Sequence, residues 1–83
     1  MLNIKVLGPG CENCKKLAYL TDRAVTNLAI EAKIEKVTDY AEIMKYPILS
    51  TPGLVIDEKL VVSGRIPSEA EITIFLTTAL MES

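Results

Sequence analysis

Residues 8–15 read Gly8-Pro9-Gly10-Cys11-Glu12-Asn13-Cys14-Lys15, and the rest of the chain is best understood outward from them. The stretch holds both cysteines of the protein in a C-x-x-C spacing, between an apolar alternation and an amphipathic helical pattern. Cysteines three apart at a helix start can bring their sulfurs together. The helix N-terminus also favours the thiolate, the species that attacks a disulfide or binds a metal. Three uses compete: a redox dithiol, half of a metal site, or a structural staple. The staple is the weakest, since the chain-entropy model gives about 2 kcal/mol to a four-residue loop against about 3 for fifteen.

Upstream, Leu2, Ile4 and Val6 alternate with Asn3 and Lys5, a period of two that predicts a strand ending at Leu7 and broken by Gly8-Pro9-Gly10. Downstream, Cys14, Leu17, Ala18, Thr21, Ala24, Val25 and Leu28 recur in steps of three and four, while Lys15, Lys16, Tyr19, Asp22 and Arg23 occupy other faces. This helix puts Cys14 on its buried stripe and Cys11 at its exposed start. A two-thiol redox site needs that asymmetry: one accessible attacker and one sheltered resolver.

Further along, Ile30 to Val37 alternates with Ala32, Ile34 and Ile30 on one face and predicts a second strand. A short helix from Tyr40 to Lys45 follows, capped by Thr38 or Asp39, with Glu42 placed to close a capping box from Asp39 and Pro47 as the stop. After Ile48-Leu49-Ser50, Thr51-Pro52 precedes Gly53-Leu54-Val55-Ile56. Asp57-Glu58-Lys59 then reads as a turn and Leu60-Val61-Val62 as a return strand, which together make a hairpin. Ser68 and Glu71 form a second capping-box candidate, opening a last helix striped by Ile72, Phe75, Leu76, Ala79 and Leu80. The order βαβαββα, with a right-handed parallel crossover in its first half and an antiparallel hairpin in its second, predicts an α/β fold. It is a four-stranded mixed sheet with helices on both faces.

Composition bounds the function. Eighty-three residues, 49% hydrophobic and 24% charged with a net charge of −2, describe one globular domain over 1–83. Nothing in that balance points to nucleic acid or an anionic membrane. No basic leader with an apolar stretch opens the chain, and no apolar run approaches the ~18 residues of a membrane span. The expected setting is the cytoplasm, where a C-x-x-C is catalytic or metal-binding more often than a permanent crosslink. With no exposed heptad or long apolar edge, a monomer is expected.

On these residues the chain resembles the small thioredoxin-fold proteins, in particular the compact glutaredoxin-like group known as redox-active disulfide proteins. The resemblance spans nearly the whole chain. It rests on Cys11-Glu12-Asn13-Cys14 after the first strand, Ser50-Thr51-Pro52 before the hairpin and Gly64 after it. It implies a thioredoxin-like fold and a thiol–disulfide oxidoreductase in which Cys11 attacks and Cys14 resolves. A cis Thr51-Pro52 bond would lie against the dithiol, with backbone nearby pairing with an extended substrate segment. No cofactor beyond the Cys11–Cys14 disulfide is implied. The implied partners are a disulfide-containing protein substrate and a thioredoxin-reductase-like or glutathione-linked electron donor. Two positions depart from the family pattern. Gly10 stands where Trp is common, and Lys5 replaces a buried acid six residues before the first cysteine, which leaves open what deprotonates Cys14.

The remaining site residues carry two readings each. Lys15 and Lys16 favour a thiolate at Cys11, whereas Glu12 opposes it by like charge. Lys5 is either a cation that favours a cysteine thiolate or, as the more ordinary reading, a stem snorkelling from a thinly covered sheet face. Gly64 either admits a substrate backbone or ends a strand. Tyr19, Tyr40 and Tyr46 either line a groove or pack at helix edges, and Arg65 with Lys15-Lys16 either binds an anionic partner or is solvated. Two other functions compete with redox work. One is a thiophilic module for Cu(I) or trivalent arsenic, although copper chaperones with a similar loop run βαββαβ and end in a strand. Zinc would want four ligands, and this chain has two cysteines and no histidine. The other is a noncatalytic domain that binds peptides along the Thr51-Pro52 edge.

Overall fold

Alternation in Leu2–Leu7 builds β1, one of the two inner strands of a sheet ordered β2-β1-β3-β4 in a computed structural model that describes residues 2–82. Helix α1 (Glu12–Leu28) crosses from β1 to β2 (Ala32–Val37), which pairs parallel to it. The short helix α2 (Tyr40–Ile43) leads to β3 (Gly53–Ile56) and β4 (Lys59–Ser63), both antiparallel to their neighbours, and α3 (Glu69–Glu82) closes the order. The expected α/β thioredoxin-like arrangement, with helices on both faces of a mixed sheet, is what the chain adopts.

The period of two divides the strands between two cores. Leu2, Ile4 and Val6 of β1 join Leu54 and Ile56 of β3 beneath α1 and α3, packed on Leu17, Ala18, Ala24, Ile72 and Leu76. On the opposite face Leu7 and Val55 meet Ile43 of α2, with Val37, Tyr46, Ile48 and Leu60 around them. Strand β3 is buried along its whole length, which accounts for its unbroken apolar run.

Local chemistry moves several predicted boundaries. The second strand starts at Ala32, because Ala29 and Ile30 are used to end α1. Ala29 takes the left-handed conformation (φ 53°) and its N–H bonds the Thr26 carbonyl, while the Ile30 N–H reaches that of Val25. Helix α2 stops at Ile43, short of Lys45. Its last turn tightens to bonds from Lys45 N–H to Glu42 O and from Tyr46 N–H to Ile43 O, so the helix has ended before Pro47. Asp39 caps α2 through Ala41 N–H, but the reciprocal bond of a capping box is missing because Glu42 turns to Lys45. The Ser68–Glu71 box closes in both directions, at 3.1 and 3.3 Å.

The hairpin turn is two residues long, with Lys59 already in β4. Asp57 and Glu58 both have positive φ (48° and 68°), the twist-matched turn usually built with glycine or asparagine. Asp57 offsets part of that strain by gripping β1: its N–H bonds Asn3 O at 2.8 Å and its carboxylate accepts from Asn3 N–H at 2.9 Å. A register shift in β4 leaves Val61 as an extra residue between the Val55–Leu60 and Leu54–Val62 pairs.

The left-handed Ala29 is exposed, so its Cβ costs conformational energy without packing in return. Ala29→Gly is expected to stabilise the protein by about 1 kcal/mol, read as a higher midpoint in urea unfolding of the oxidised protein.

Candidate active site

The C-x-x-C stretch straddles the start of α1. Cys11 is the N-cap, exposed and extended (φ −71°, ψ 169°), and its Sγ accepts a hydrogen bond from the Cys14 backbone N–H at 3.2 Å. Cys14 lies one turn in, 5% exposed, on the stripe that continues through Leu17, Ala18, Thr21 and Ala24. A disulfide joins the two, with Cα atoms 5.0 Å apart. When that bond is reduced, the N–H directed at Cys11 Sγ is placed to stabilise a thiolate there, with the positive end of the helix dipole behind it.

Beneath Cys14 lies Gly8. This residue is buried, its N–H bonds Val37 O, and a Cβ added to it would collide with Cys14 Sγ and lie 3.8 Å from Thr51 Cβ. Gly8 therefore lets the sulfur rest on the end of β1, and Thr51 stands on the other side of Gly8 at ordinary contact distance. The Thr51-Pro52 bond is cis and Pro52 is buried.

That loop is tied to the exit of β4. Gly64 N–H bonds Pro52 O at 2.9 Å. Ser63 Oγ accepts from Leu49 N–H and donates to Ser50 O, both at 3.2 Å. Ser50 and Gly64 meet directly: Gly64 has φ 77°, and a Cβ there would run into Ser50 Oγ. Ser50, Thr51, Pro52 and Gly64 are thus brought together, beside a groove of about 310 Å³ bordered by the exposed Tyr40, Met44 and Leu49.

Lys5 belongs to the opposite face. The alternation of β1 points it away from α1, where its ammonium bonds Tyr46 Oη at 2.9 Å and Glu58 at 3.1 Å and sits 5.7 Å from the Tyr46 ring centroid. Those bonds, first to Tyr46 and then to Glu58, raise the Lys5 pKa. Lys5 and then Tyr46 in turn hold the Glu58 carboxyl below its ordinary value. Lys15 instead lines a cavity of about 90 Å³ together with Cys14, and Glu12 is exposed in the same helical turn. Tyr19 meets Arg23, and Arg65 is paired with Glu71 at 2.9 Å.

Two residues at the dithiol were not singled out from sequence. Gly8 read only as a strand breaker. Lys36 also lines the cavity at Cys14, and its signal was a lysine in the third place of the face Ala32, Ile34, Lys36. Among the described residues no group of three or more His, Cys, Asp or Glu side chains is placed to hold a metal ion, and no helix is long and apolar enough to cross a membrane.

The family model for the thioredoxin domain matches residues 2–77. The chain belongs to the thioredoxin family. A thioredoxin of Methanothermobacter thermautotrophicus is 36% identical over 72 residues, covering 87% of this chain and 94% of that protein. A thioredoxin of Methanocaldococcus jannaschii is 40% identical over 72 residues, covering 87% and 83%. With the C-x-x-C disulfide at the helix start, this membership makes the protein a thiol–disulfide oxidoreductase. Within the family, the position of Lys5 matters for what it leaves undone. Its ammonium is committed to Tyr46 and Glu58, and the cations bordering Cys14 come from α1 and β2.

Gly8→Ala is expected to destabilise the oxidised protein by about 1–3 kcal/mol through the overlap with Cys14 Sγ, measured by denaturant unfolding without reductant. A second expectation concerns pH. Because the Glu58 carboxyl is lowered, its contribution is present above the unfolded-state value and is lost as pH falls through the folded one. The raised Lys5 loses its contribution only at strongly alkaline pH. The stability advantage of the wild type over Glu58→Gln should hold at neutral pH and shrink below about pH 4, as thermal melts across an acid series would report.

Proposed function

We propose that this oxidoreductase acts on disulfides of protein substrates, with Cys11 as the attacking thiol and Cys14 as the resolving one. The observation that carries this reading is the inequality of the two sulfurs: Cys11 is exposed and receives a backbone N–H, whereas Cys14 is buried against Gly8. The Cys11 thiolate attacks one sulfur of the substrate disulfide. A mixed disulfide forms and the other substrate sulfur leaves as a thiolate. The Cys14 thiolate then attacks Cys11, closing the Cys11–Cys14 bond and releasing the second substrate sulfur, so that two electrons pass to the substrate. A helix terminus in favourable geometry contributes up to ~2 kcal/mol, enough to bring a thiol from about 8.5 towards 7.

Substrate is held along the loop before β3. Among the described residues no hydrogen bond engages the Thr51 backbone, so its N–H and C=O are available to an extended segment, the geometry of strand addition. Ser50 and Gly64 brace this edge from within, and Lys15 offsets the like charge of Glu12 at Cys11. A thioredoxin-reductase-like or glutathione-linked donor in the cytoplasm would return electrons to the Cys11–Cys14 disulfide, and no further cofactor is required.

Equilibration of the metal-free protein in defined redox buffers, followed by alkylation and intact mass, is expected to show one two-electron transition between roughly −180 and −280 mV. A pair that resists oxidation or retains a thiophilic metal would overturn the reading. Cys14→Ser should accumulate mixed disulfides through Cys11, and Cys11→Ser should not; equal trapping by the two variants would reverse the assignment of roles.

A further inference from the structure

Acidic side chains outnumber basic ones eleven to nine in this chain, and six of the cations, Lys5, Arg23, Lys33, Lys45, Lys59 and Arg65, stand in ion pairs. Lys15, Lys16 and Lys36 form none among the described residues. Two of these three, Lys15 and Lys36, line the same cavity as Cys14, closed by Val6, Gly8, Gly10 and Thr38.

The placement of Lys36 is unusual for its strand. Ala32, Ile34 and Lys36 stand opposite Leu2, Ile4 and Val6 on the α1 face of the sheet, and the first two pack against the main core. At the third place, level with the start of α1, the series changes from apolar to cationic. Lys36 has no carboxylate to answer there, since Glu35 points to the other face and is paired with Lys33. We propose that Lys36 is a positioning residue for resolution: with Lys15, it favours the Cys14 thiolate across this cavity and so speeds the attack that releases substrate.

The inference rests on Cys14 being the resolving thiol. In that step the Cys14 proton passes to solvent, the thiolate displaces the substrate sulfur from Cys11, and the substrate leaves as a thiolate. A nearby cation favours the charged form of a thiol, and burial opposes it. The surroundings of Cys14 can be named element by element. From α1 come Cys11, Lys15 and the exposed Glu12; from β2 comes Lys36, with Thr38 just beyond it. From β1 and the turn that follows it come only Val6, Gly8 and Gly10, since Lys5 is turned away, and from the loop before β3 comes the uncharged Thr51. Asp39 is engaged in capping α2. Lys36 is thus the cation that tertiary structure, and not the local sequence around the cysteines, delivers to Cys14.

Two readouts on the full chain test this. In Cys11→Ser, ultraviolet absorbance of the thiolate follows the titration of Cys14. In the intact dithiol protein, a neutral dipyridyl disulfide reports attack by Cys11 and then resolution by Cys14 as two successive releases of thiopyridone. Lys36→Met, which keeps the stem and removes the charge, is expected to raise the Cys14 midpoint by about 0.5–1 pH unit and slow the second release about three- to tenfold near neutral pH. The first release should be unaffected. Lys36→Arg should restore both values, and Lys33→Met, on the other face of β2, should change neither. An unmoved Cys14 midpoint, or equal slowing of both releases, would overturn the proposal. Failure of Cys14→Ser to trap partners would instead remove the role assignment beneath it, a separate result.

Discussion

The active end of this protein depends on the contact between the Cys14 sulfur and the backbone of Gly8. Without a side chain at residue 8, α1 can start directly over the end of β1, and one sulfur is buried while its partner remains at the surface. Thr51 stands on the other side of Gly8 at a distance that a Cβ would tolerate. One missing methyl group therefore sets how closely the start of the helix, with its sulfur, can approach the sheet. Close-packed interiors leave little room to redistribute such a constraint.

The opposite face of the sheet meets a different problem. A helix of four residues cannot cover four strands, and Ile43 shields only Leu7 and Val55 fully. The central position Lys5 would be an exposed apolar gap if it were a leucine. It is filled instead by an ammonium that two residues distant from it in sequence converge to hold: Tyr46, through its hydroxyl and its ring, and Glu58, through its carboxylate. Individual pairs this open to water contribute little each. Their arrangement nonetheless joins β1, the end of α2 and the hairpin turn at one point.

Much of this architecture is readable from periodicity. The steps of three and four in α1 correctly put Cys14 inside and Cys11 outside, and the alternation in β1 separates the two cores. Features that depend on partners far along the chain are less accessible. Nothing local distinguishes an Asp39–Glu42 capping box from the Glu42–Lys45 pair that replaces it, and no turn rule anticipates that Asp57-Glu58 would take the conformation usually given to glycine. At the site, the C-x-x-C could be picked out because its chemistry is short-range, whereas the Thr-Pro is marked only by the family resemblance. Gly8 and Lys36 could not, because a glycine after a strand and a lysine near a strand end acquire meaning only once parallel pairing sets Val6 beside Lys36 and α1 above both.

The two free margins of the sheet are guarded by unlike means. Strand β2 carries Lys33, Glu35 and Lys36 along its border, and β4 is bent by the extra residue at Val61. Charge and curvature both discourage a foreign strand from adding to a sheet. Such borders disfavour growth by strand addition, whereas among the described residues no hydrogen bond engages the backbone of Thr51, across Gly8 from Cys14. On the substrate-binding role proposed for this edge, attraction between extended chains, a hazard elsewhere on a β-surface, is confined to the place where a brief encounter can end in chemistry.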